Sequence, residues 1–284
     1  MVGHNGLKLR MMLAMSILFG FYAALAGAIF WTFGTGTGVL IAVLAGSVLF
    51  VGFQYKFGKW MALRSVGAED MPEGRDGRYN YGEIHRSTEK LCSEMDIEKP
   101  RLMVADMGVP NAFAVGRKGA GVVVISREII DLLDHDELEG VLAHELAHIK
   151  NRDVVIMVLG QSIASMIGIV AQFAVLFGGE RNIGTYFLAM IVGTVAQMLV
   201  MIFVMAISRY REYVADEDAA QYTRNPQAMA RALEKISSGA QGKDMKGEET
   251  VNALCIFGTE RGILQSLFST HPPTDKRISR LRSM

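Results

Sequence analysis

Four uncharged apolar runs constrain this chain more than any other feature. Backbone inside a bilayer must satisfy its own hydrogen bonds, so a spanning segment is a helix or part of a closed barrel. The runs are Met11 to Phe33, Val39 to Phe53, Val154 to Gly178 and Tyr186 to Ile207. The first has 23 positions without a charge, more than the ~20 that cross hydrocarbon as a helix. It is too long for the apolar core of a cleaved signal, and Gly34-Thr-Gly-Thr-Gly38 turns it straight into the second run. The third and fourth are joined by Gly179 to Gly184, so the runs read as two membrane hairpins. Half of the residues are hydrophobic and 18 are Met, more apolar than a soluble enzyme requires.

Charge placement orients the hairpins. Lys8 and Arg10 precede the first, and Lys56, Lys59 and Arg64 follow it. Arg152, Arg209 and Arg211 flank the second, against Arg181 alone in its turn. Lys/Arg bias near span ends predicts that both termini and the soluble segments face the cytoplasm of a multi-pass protein. The fourth run is short and both later runs contain Gly and polar groups, so partial insertion of the second hairpin, or its burial within the protein, is the alternative. The expected organisation is 1–64 as a transmembrane hairpin, 65–153 as the first half of a soluble domain, 154–207 as the second hairpin and 208–284 as the second half.

Between the hairpins the composition becomes that of a soluble domain. Asp70 to Gly77 is a polar Pro/Gly-containing connector, and Ile84, Leu91 and Met95 mark an amphipathic helix over Gly82 to Met95. Leu102 to Ala105, Asn111 to Gly116 and Gly121 to Ser126 read as strands, the last two joined by Arg117-Lys-Gly119. Ser126 can cap a short helix from Arg127 to Leu133, and Asp134 or Asp136 can cap the next one.

That next helix carries His144-Glu-Leu-Ala-His148. Residues i and i+4 lie on one helical face, so both imidazoles reach a single ion. Zinc takes neutral imidazole nitrogens plus a further carboxylate and keeps a position for water, whose proton Glu145 can accept as general base. Chance supplies about 0.006 such matches in a chain of this His and Glu content. The third apolar run begins six residues after His148, so the motif helix is expected to continue into the membrane. The fourth run returns to Ser208-Arg-Tyr-Arg-Glu212. Packed antiparallel helices lie roughly 8–10 Å apart, which brings Glu212 to the histidines as third ligand. Asp216, one turn on, is the alternative ligand, or a residue that orients a ligand imidazole through its other N–H.

His144-Glu-Leu-Ala-His148 followed by Asp153, Arg209-Tyr-Arg-Glu-Tyr-Val-Ala-Asp216, Asn111-Ala-Phe113 and Ser269-Thr-His-Pro-Pro-Thr-Asp-Lys-Arg277 together resemble the bacterial membrane zinc endopeptidases related to the CAAX prenyl proteases. The resemblance covers nearly the whole chain. It implies one Zn²⁺ per chain on His144, His148 and Glu212, with Glu145 as base. It also implies a zincin-type catalytic domain on the cytoplasmic side of the bacterial inner membrane, acting in quality control of membrane proteins under stress. On the same resemblance His271 approaches the site and donates to a developing oxyanion, Arg277 shares that role or pairs with a carboxylate such as Asp216, and Asp153 and Asp216 support the ligands. Ala253 stands where a His is expected before Leu254, which leaves no role for the Val251–Ile256 segment.

The expected fold class is therefore an α+β membrane protein, mostly helical, with four transmembrane helices and a small β-sheet in its catalytic domain. Its partners are polypeptide substrates, membrane proteins among them, and the lipid bilayer. Asn111, Ala112 and Phe113 begin the strand expected to dock substrate by edge pairing. With 29 basic and 29 acidic residues, nothing advertises a nucleic-acid partner. Cys92 and Cys255 read as reduced, and His4, His85 and His135 as solvated. Ser237 to Thr250 reads as a flexible surface loop. A metal-dependent transporter would place ionisable groups in its spans, whereas the third and fourth runs offer only Gln161, Ser162, Ser165, Gln172, Thr194 and Gln197. A catalytically weak membrane scaffold would tolerate loss of a ligand or of the base, and none is missing.

Overall fold

The computed structural model describes residues 36–180, 182–240 and 271–284. The first apolar run with Lys8 and Arg10, the turn at Gly34 and Thr35, His4, Arg181, residues 241–250 of the expected loop, and the 251–256 segment with Ala253 and Cys255 lie outside the described residues. The chain divides into two compact units. Of the described residues, one contains 36–56 and 156–210, and the other contains 57–155, 211–240 and 271–284.

The second unit holds a four-stranded sheet in the order β1-β4-β6-β5, with β1 at Glu69–Asp70, β4 at Arg101–Ala105, β5 at Ala112–Val115 and β6 at Val122–Ser126. β4 and β6 are parallel, and β1 and β5 are antiparallel to their neighbours. A two-stranded ribbon, β2 (Arg75–Asp76) and β3 (Tyr79–Asn80), lies in the connector. The strands β4 to β6 are continuous apolar runs because both faces of the sheet are covered. Leu102, Val104, Ala112, Ala114, Val123 and Ile125 face one core, shared with the helices α2 (Tyr81–Met95), α4 (His135–Lys150) and α7 (Pro226–Ala240). Met103, Ala105, Phe113, Val115, Val122 and Val124 alternate onto the other, which includes Ala62 and Val66 at the end of α1 (Thr37–Ser65).

Helix boundaries follow local chemistry. Ser126 caps α3 (Arg127–Leu132), its Oγ accepting from the Ile129 N–H at 3.1 Å. Asp134 and Glu137 form a capping box at the start of α4, and the Glu137 carboxylate accepts from the Asp134 N–H at 3.0 Å. α4 packs on α7 with Gly140 against Met229. The short α8 (Thr274–Arg282) packs on α7. Ser237 to Ala240 are the last turn of α7 rather than loop; the small residues Ser237, Ser238, Gly239 and Ala240 imitate loop composition. Cys92 is free and buried.

In the first unit, α5 (Asp153–Gly178) and α6 (Ile183–Thr223) are each long and apolar enough to cross a membrane. Only 28% and 22% of their most apolar windows are buried, which rules them out as ordinary core helices. They meet at Gly168 and Gly193, where a Cβ on Gly193 would lie 2.7 Å from the Gly168 carbonyl oxygen, a small-residue contact suited to helices in lipid. The Ser162 hydroxyl donates to the Val158 carbonyl oxygen at 2.7 Å and also meets the Gln54 side-chain amide on α1, so it is satisfied within the apolar helices.

One sequence expectation is corrected. The motif helix does not run on into the third apolar stretch: α4 ends at Lys150, Arg152 adopts a left-handed backbone at φ 57°, and α5 starts afresh at Asp153. That conformation costs a non-glycine residue about 1–2 kcal/mol. The fourth apolar run and the Glu212 segment it leads to belong to one helix, α6, whose 41 residues make about 60 Å of helix at ~1.5 Å per residue.

Candidate metal centre

The α-helical repeat brings His144 and His148 together on one face of α4, with ring centroids 4.7 Å apart and the two Nε2 atoms 3.1 Å apart. Glu212 of α6 closes the group, its Oε2 lying 3.6 Å from His144 Nε2 and its Oε1 3.4 Å from His148 Nε2. All three residues offer ligand atoms within 4.8 Å of one another, the only such group among the described residues. Glu145 is 3% exposed.

The other imidazole nitrogens are both held by carboxylates. His148 Nδ1 lies 2.6 Å from Asp153 Oδ2, and His144 Nδ1 lies 3.0 Å from Asp216 Oδ1. The break at Arg152 makes the first contact possible, because it restarts the chain with Asp153 beside His148. The Asp153 contact leaves His148 Nε2 to face His144 Nε2, which also has a terminal nitrogen of Arg277 at 3.4 Å. Two imidazole nitrogens this close beside a carboxylate are the donor types of a metal site.

The site is rich in buried charge: Glu145, Asp153, Glu212 and Asp216 are buried together with Arg211 and Arg277. Burial raises the Asp216 carboxyl, but Arg277 and His144 outweigh it and hold it down at about 2. Burial also opposes ionisation of Glu212, yet His271, Arg277 and the two imidazoles keep its carboxyl well below the usual range. His144 is raised despite its burial, because Asp216 and Glu212 favour a proton on the ring. The donor set, two imidazole nitrogens and one carboxylate, is of the kind that zinc takes, and one ligand atom from each residue lies within 4.8 Å of the others.

Arg277, 0% exposed, forks onto Asp216 through Nε at 2.8 Å and one terminal nitrogen at 2.7 Å, and its other terminal nitrogen is 3.1 Å from Glu212. Of the two expectations for Arg277, carboxylate pairing is the arrangement found. His271, just before Pro272-Pro273 and α8, places Nδ1 3.1 Å from Glu212 Oε2. Asn111, Ala112 and Phe113 are buried where β5 begins, and β5 packs against α4.

Sequence reasoning missed Arg211, counted above among the orienting membrane-flanking charges. It is 3% exposed, ion-paired with Asp153, and donates to the Asp153 carbonyl oxygen at 2.8 Å. Its place next to Glu212 was the available signal. His85 is not solvated as expected, being half-buried with Nε2 3.4 Å from the Met71 carbonyl oxygen. His135 stays exposed, 3.2 Å from Glu83.

A small sheet, a helix bearing two histidines and a glutamate, a carboxylate brought to them by α6, and long apolar helices with mostly unburied surface are the features of a metal-dependent protease of the membrane. The chain belongs to peptidase family M48, whose model matches residues 79–284. Among curated proteins it is similar to those named protease HtpX homolog. The one from Halobacterium salinarum is 53% identical over 289 residues, covering 94% of this chain and 98% of that one. The Salinibacter ruber protein is 37% identical over 255 residues, covering 88% and 89%. The Pyrococcus furiosus protein is 37% identical over 286 residues, covering 94% of each. Among solved structures the fold is like that in the crystal structure of S. mikatae Ste24p, with a TM-score of 0.53 at 17% identity over 97% of this chain. The chain spans 66% of that protein's length.

Proposed function

We propose that this chain is a zinc-dependent membrane endopeptidase that hydrolyses peptide bonds of membrane or misfolded proteins. His144, His148 and Glu212 are the ligands and Glu145 is the general base. The observation that carries the reading is the approach of the two Nε2 atoms to 3.1 Å with Glu212 against both and Glu145 next to the first histidine. When bound there, zinc supplies Lewis acidity that activates a water molecule and polarises the scissile carbonyl.

The protein's own residues perform the rest. Glu145 accepts the proton of the attacking water and delivers it to the leaving amine. It interacts electrostatically with the buried Arg277 guanidinium. Asp153 and Asp216 hold the imidazoles in the tautomer that presents Nε2, while Arg211 pairs with Asp153 and Arg277 keeps the Asp216 carboxyl ionised. His271 donates to the developing oxyanion. Substrate adds as an extended strand to β5, which ends the sheet. Asn111 accepts from the Ser126 N–H, so by antiparallel alternation Phe113 and Val115 bond to β6 and the N–H groups of Ala112 and Ala114 point to the outer edge.

In this reading the protein crosses the bacterial inner membrane four times, with both termini and the active site in the cytoplasm, and serves protein quality control under stress. Lys56, Lys59, Arg64, Arg152 and Arg209 carry the orientation once Arg211 is reassigned. The test is metal analysis of the full chain purified in detergent, alongside casein cleavage with and without a chelator. Stoichiometric zinc, and cleavage lost on chelation and restored by zinc, are expected. Cleavage unchanged after metal removal would reject the mechanism, and a metal-loaded protein without cleavage would favour a scaffold.

A further inference from the structure

The last turns of α1 have two chemically distinct faces. On one, Ala62 and Val66 are buried in the core on the far side of the sheet, and Lys59 Nζ donates to the Ala120 carbonyl oxygen at 2.8 Å in the β5–β6 turn. The other presents Phe57, 46% exposed, and Trp60, 53% exposed, with ring centroids 5.9 Å apart. The Arg64 guanidinium sits 5.7 Å from the Trp60 ring centroid. Positions 57, 60 and 64 share one helical face, so this is a single aromatic and cationic stripe on a segment fixed to the sheet by its opposite face.

Charge and position say what covers that stripe. No Asp or Glu occurs before Glu69, whereas Lys56, Lys59 and Arg64 fall within nine residues of one another. A protein surface has no such one-sided requirement, but an anionic lipid surface does. The stripe also follows directly on the apolar run that ends at Phe53. At ~1.5 Å per residue, Phe57 and Trp60 lie about 6 and 10 Å past that end along the helix. The headgroup layer is roughly 5–8 Å deep on each side of the hydrocarbon, so the Phe57 backbone falls inside it and that of Trp60 just beyond, with its indole leaning back toward the lipid because helical side chains tilt toward the N-terminus; aromatic rings concentrate in that layer.

We propose that Phe57, Trp60 and Arg64 form a docking surface for an anionic phospholipid headgroup layer, which ties the sheet-bearing unit to the membrane surface. The proposal rests on α1 being a membrane helix, as in the function proposed above, and goes beyond it by naming the lipid class that the soluble part engages. Because Lys59 joins the same helix to the β5–β6 turn, lipid contact is coupled to the strand pair that borders α4.

The chain has two Trp, at 31 and 60, so Trp31→Phe leaves Trp60 as the sole reporter. The full chain is placed in phosphatidylcholine nanodiscs with and without phosphatidylglycerol. Trp60 fluorescence is then quenched with lipids brominated near the carbonyl end of the acyl chain, or with aqueous iodide. Strong quenching by brominated lipid is expected, increasing with phosphatidylglycerol. Lys56→Ala and Arg64→Ala are expected to weaken the anionic-lipid-dependent part by about five-fold per charge removed. Trp60 open to iodide and insensitive to brominated lipid would overturn the proposal. Shielding from both quenchers would overturn it too, in favour of a protein surface such as a second copy. Casein cleavage in the same discs reads the protease function separately, so failure of one is distinguishable from failure of the other.

Discussion

Replacing Arg211 separates a membrane-flanking charge from a buried clamp. If Arg211 only oriented the protein, Lys would serve as well and Met would matter little to the folded state. In the structure its guanidinium reaches both the Asp153 carboxylate and the Asp153 carbonyl oxygen, and Asp153 in turn holds His148 Nδ1 at 2.6 Å. Arg211→Met leaves a buried carboxylate without its cation, which costs about 3–5 kcal/mol. For a domain of this size each kcal/mol moves the melting midpoint by roughly 2–4 °C, so a fall of about 6–20 °C is expected. Arg211→Lys keeps the charge and loses the fork. Losing one charge-assisted hydrogen bond costs about 1.5–3 kcal/mol, an intermediate fall. Asp153→Asn should weaken zinc by about 10–100-fold, the usual loss for a residue that orients a ligand imidazole. The assays are thermal unfolding of the detergent-solubilised protein and zinc competition with a chromogenic chelator. Arg282→Ala is the control, because its pair with Glu234 is 57% and 39% exposed and should be worth under about 1 kcal/mol. An Arg211→Met protein that melts and binds zinc like that control would refute the clamp.

Four further outcomes are expected. Glu145→Gln should retain zinc while casein cleavage falls by about 10²–10⁴-fold; near-normal turnover by the zinc-loaded variant would reject Glu145 as base. Glu212→Ala should lose zinc, whereas Asp216→Asn should weaken it by only about 10–100-fold, and metal analysis showing the reverse order would exchange their roles. Pro at Ala112 or Ala114 removes one outward N–H from β5 and should lower kcat/KM by about 2–12-fold, with a fall in melting midpoint from the added ring in the core; wild-type kinetics in both would move substrate docking to another strand. Burial pushes the Cys92 thiol up to about 11, so in a Cys255→Ser background maleimide at pH 8 should label the protein only after denaturation, and rapid labelling of the folded protein would contradict the packing of α2.

The local elements were legible wherever a short-range rule decided them. The strands β4 to β6 were visible as apolar runs bounded by Pro, Gly and polar turns, and α2 by apolar residues at helical spacing. Ser126 announced one helix start, and Asp134 or Asp136 the next, between which the structure selects Asp134 with Glu137. The triad was legible because His144 and His148 lie within one turn and a hairpin geometry returns Glu212 to them. What stayed hidden depended on conformation or distance. A left-handed Arg152 has no sequence signature, since Gly or Asn is the usual occupant, so a continuous helix was the natural expectation. Arg209 and Arg211 are alike in sequence, and only the rotation of α6 decides that Arg211 turns into the core. The fork between Asp216 and Arg277 joins residues 61 positions apart, beyond the reach of any periodicity.

The break between α4 and α5 unites these results. An unbroken helix would carry Asp153 onward by five residues, about 140° around the axis from His148, and the carboxylate would not face the ring. Turning the chain at Arg152 costs about 1–2 kcal/mol, and the conformation is offset by what it places. Asp153 meets His148, Arg211 neutralises Asp153, and the Asn151 side chain donates to Asp218 Oδ2 at 3.0 Å. Asp218, Arg211 and Glu212 all come from α6, so the contacts that hold the break are made to the helix that supplies the third ligand. The same joint therefore positions both sides of the metal centre. Displacing α5 relative to α6 would be felt first at His148 and Glu212, which is why clamp variants should lose zinc affinity as well as thermal stability.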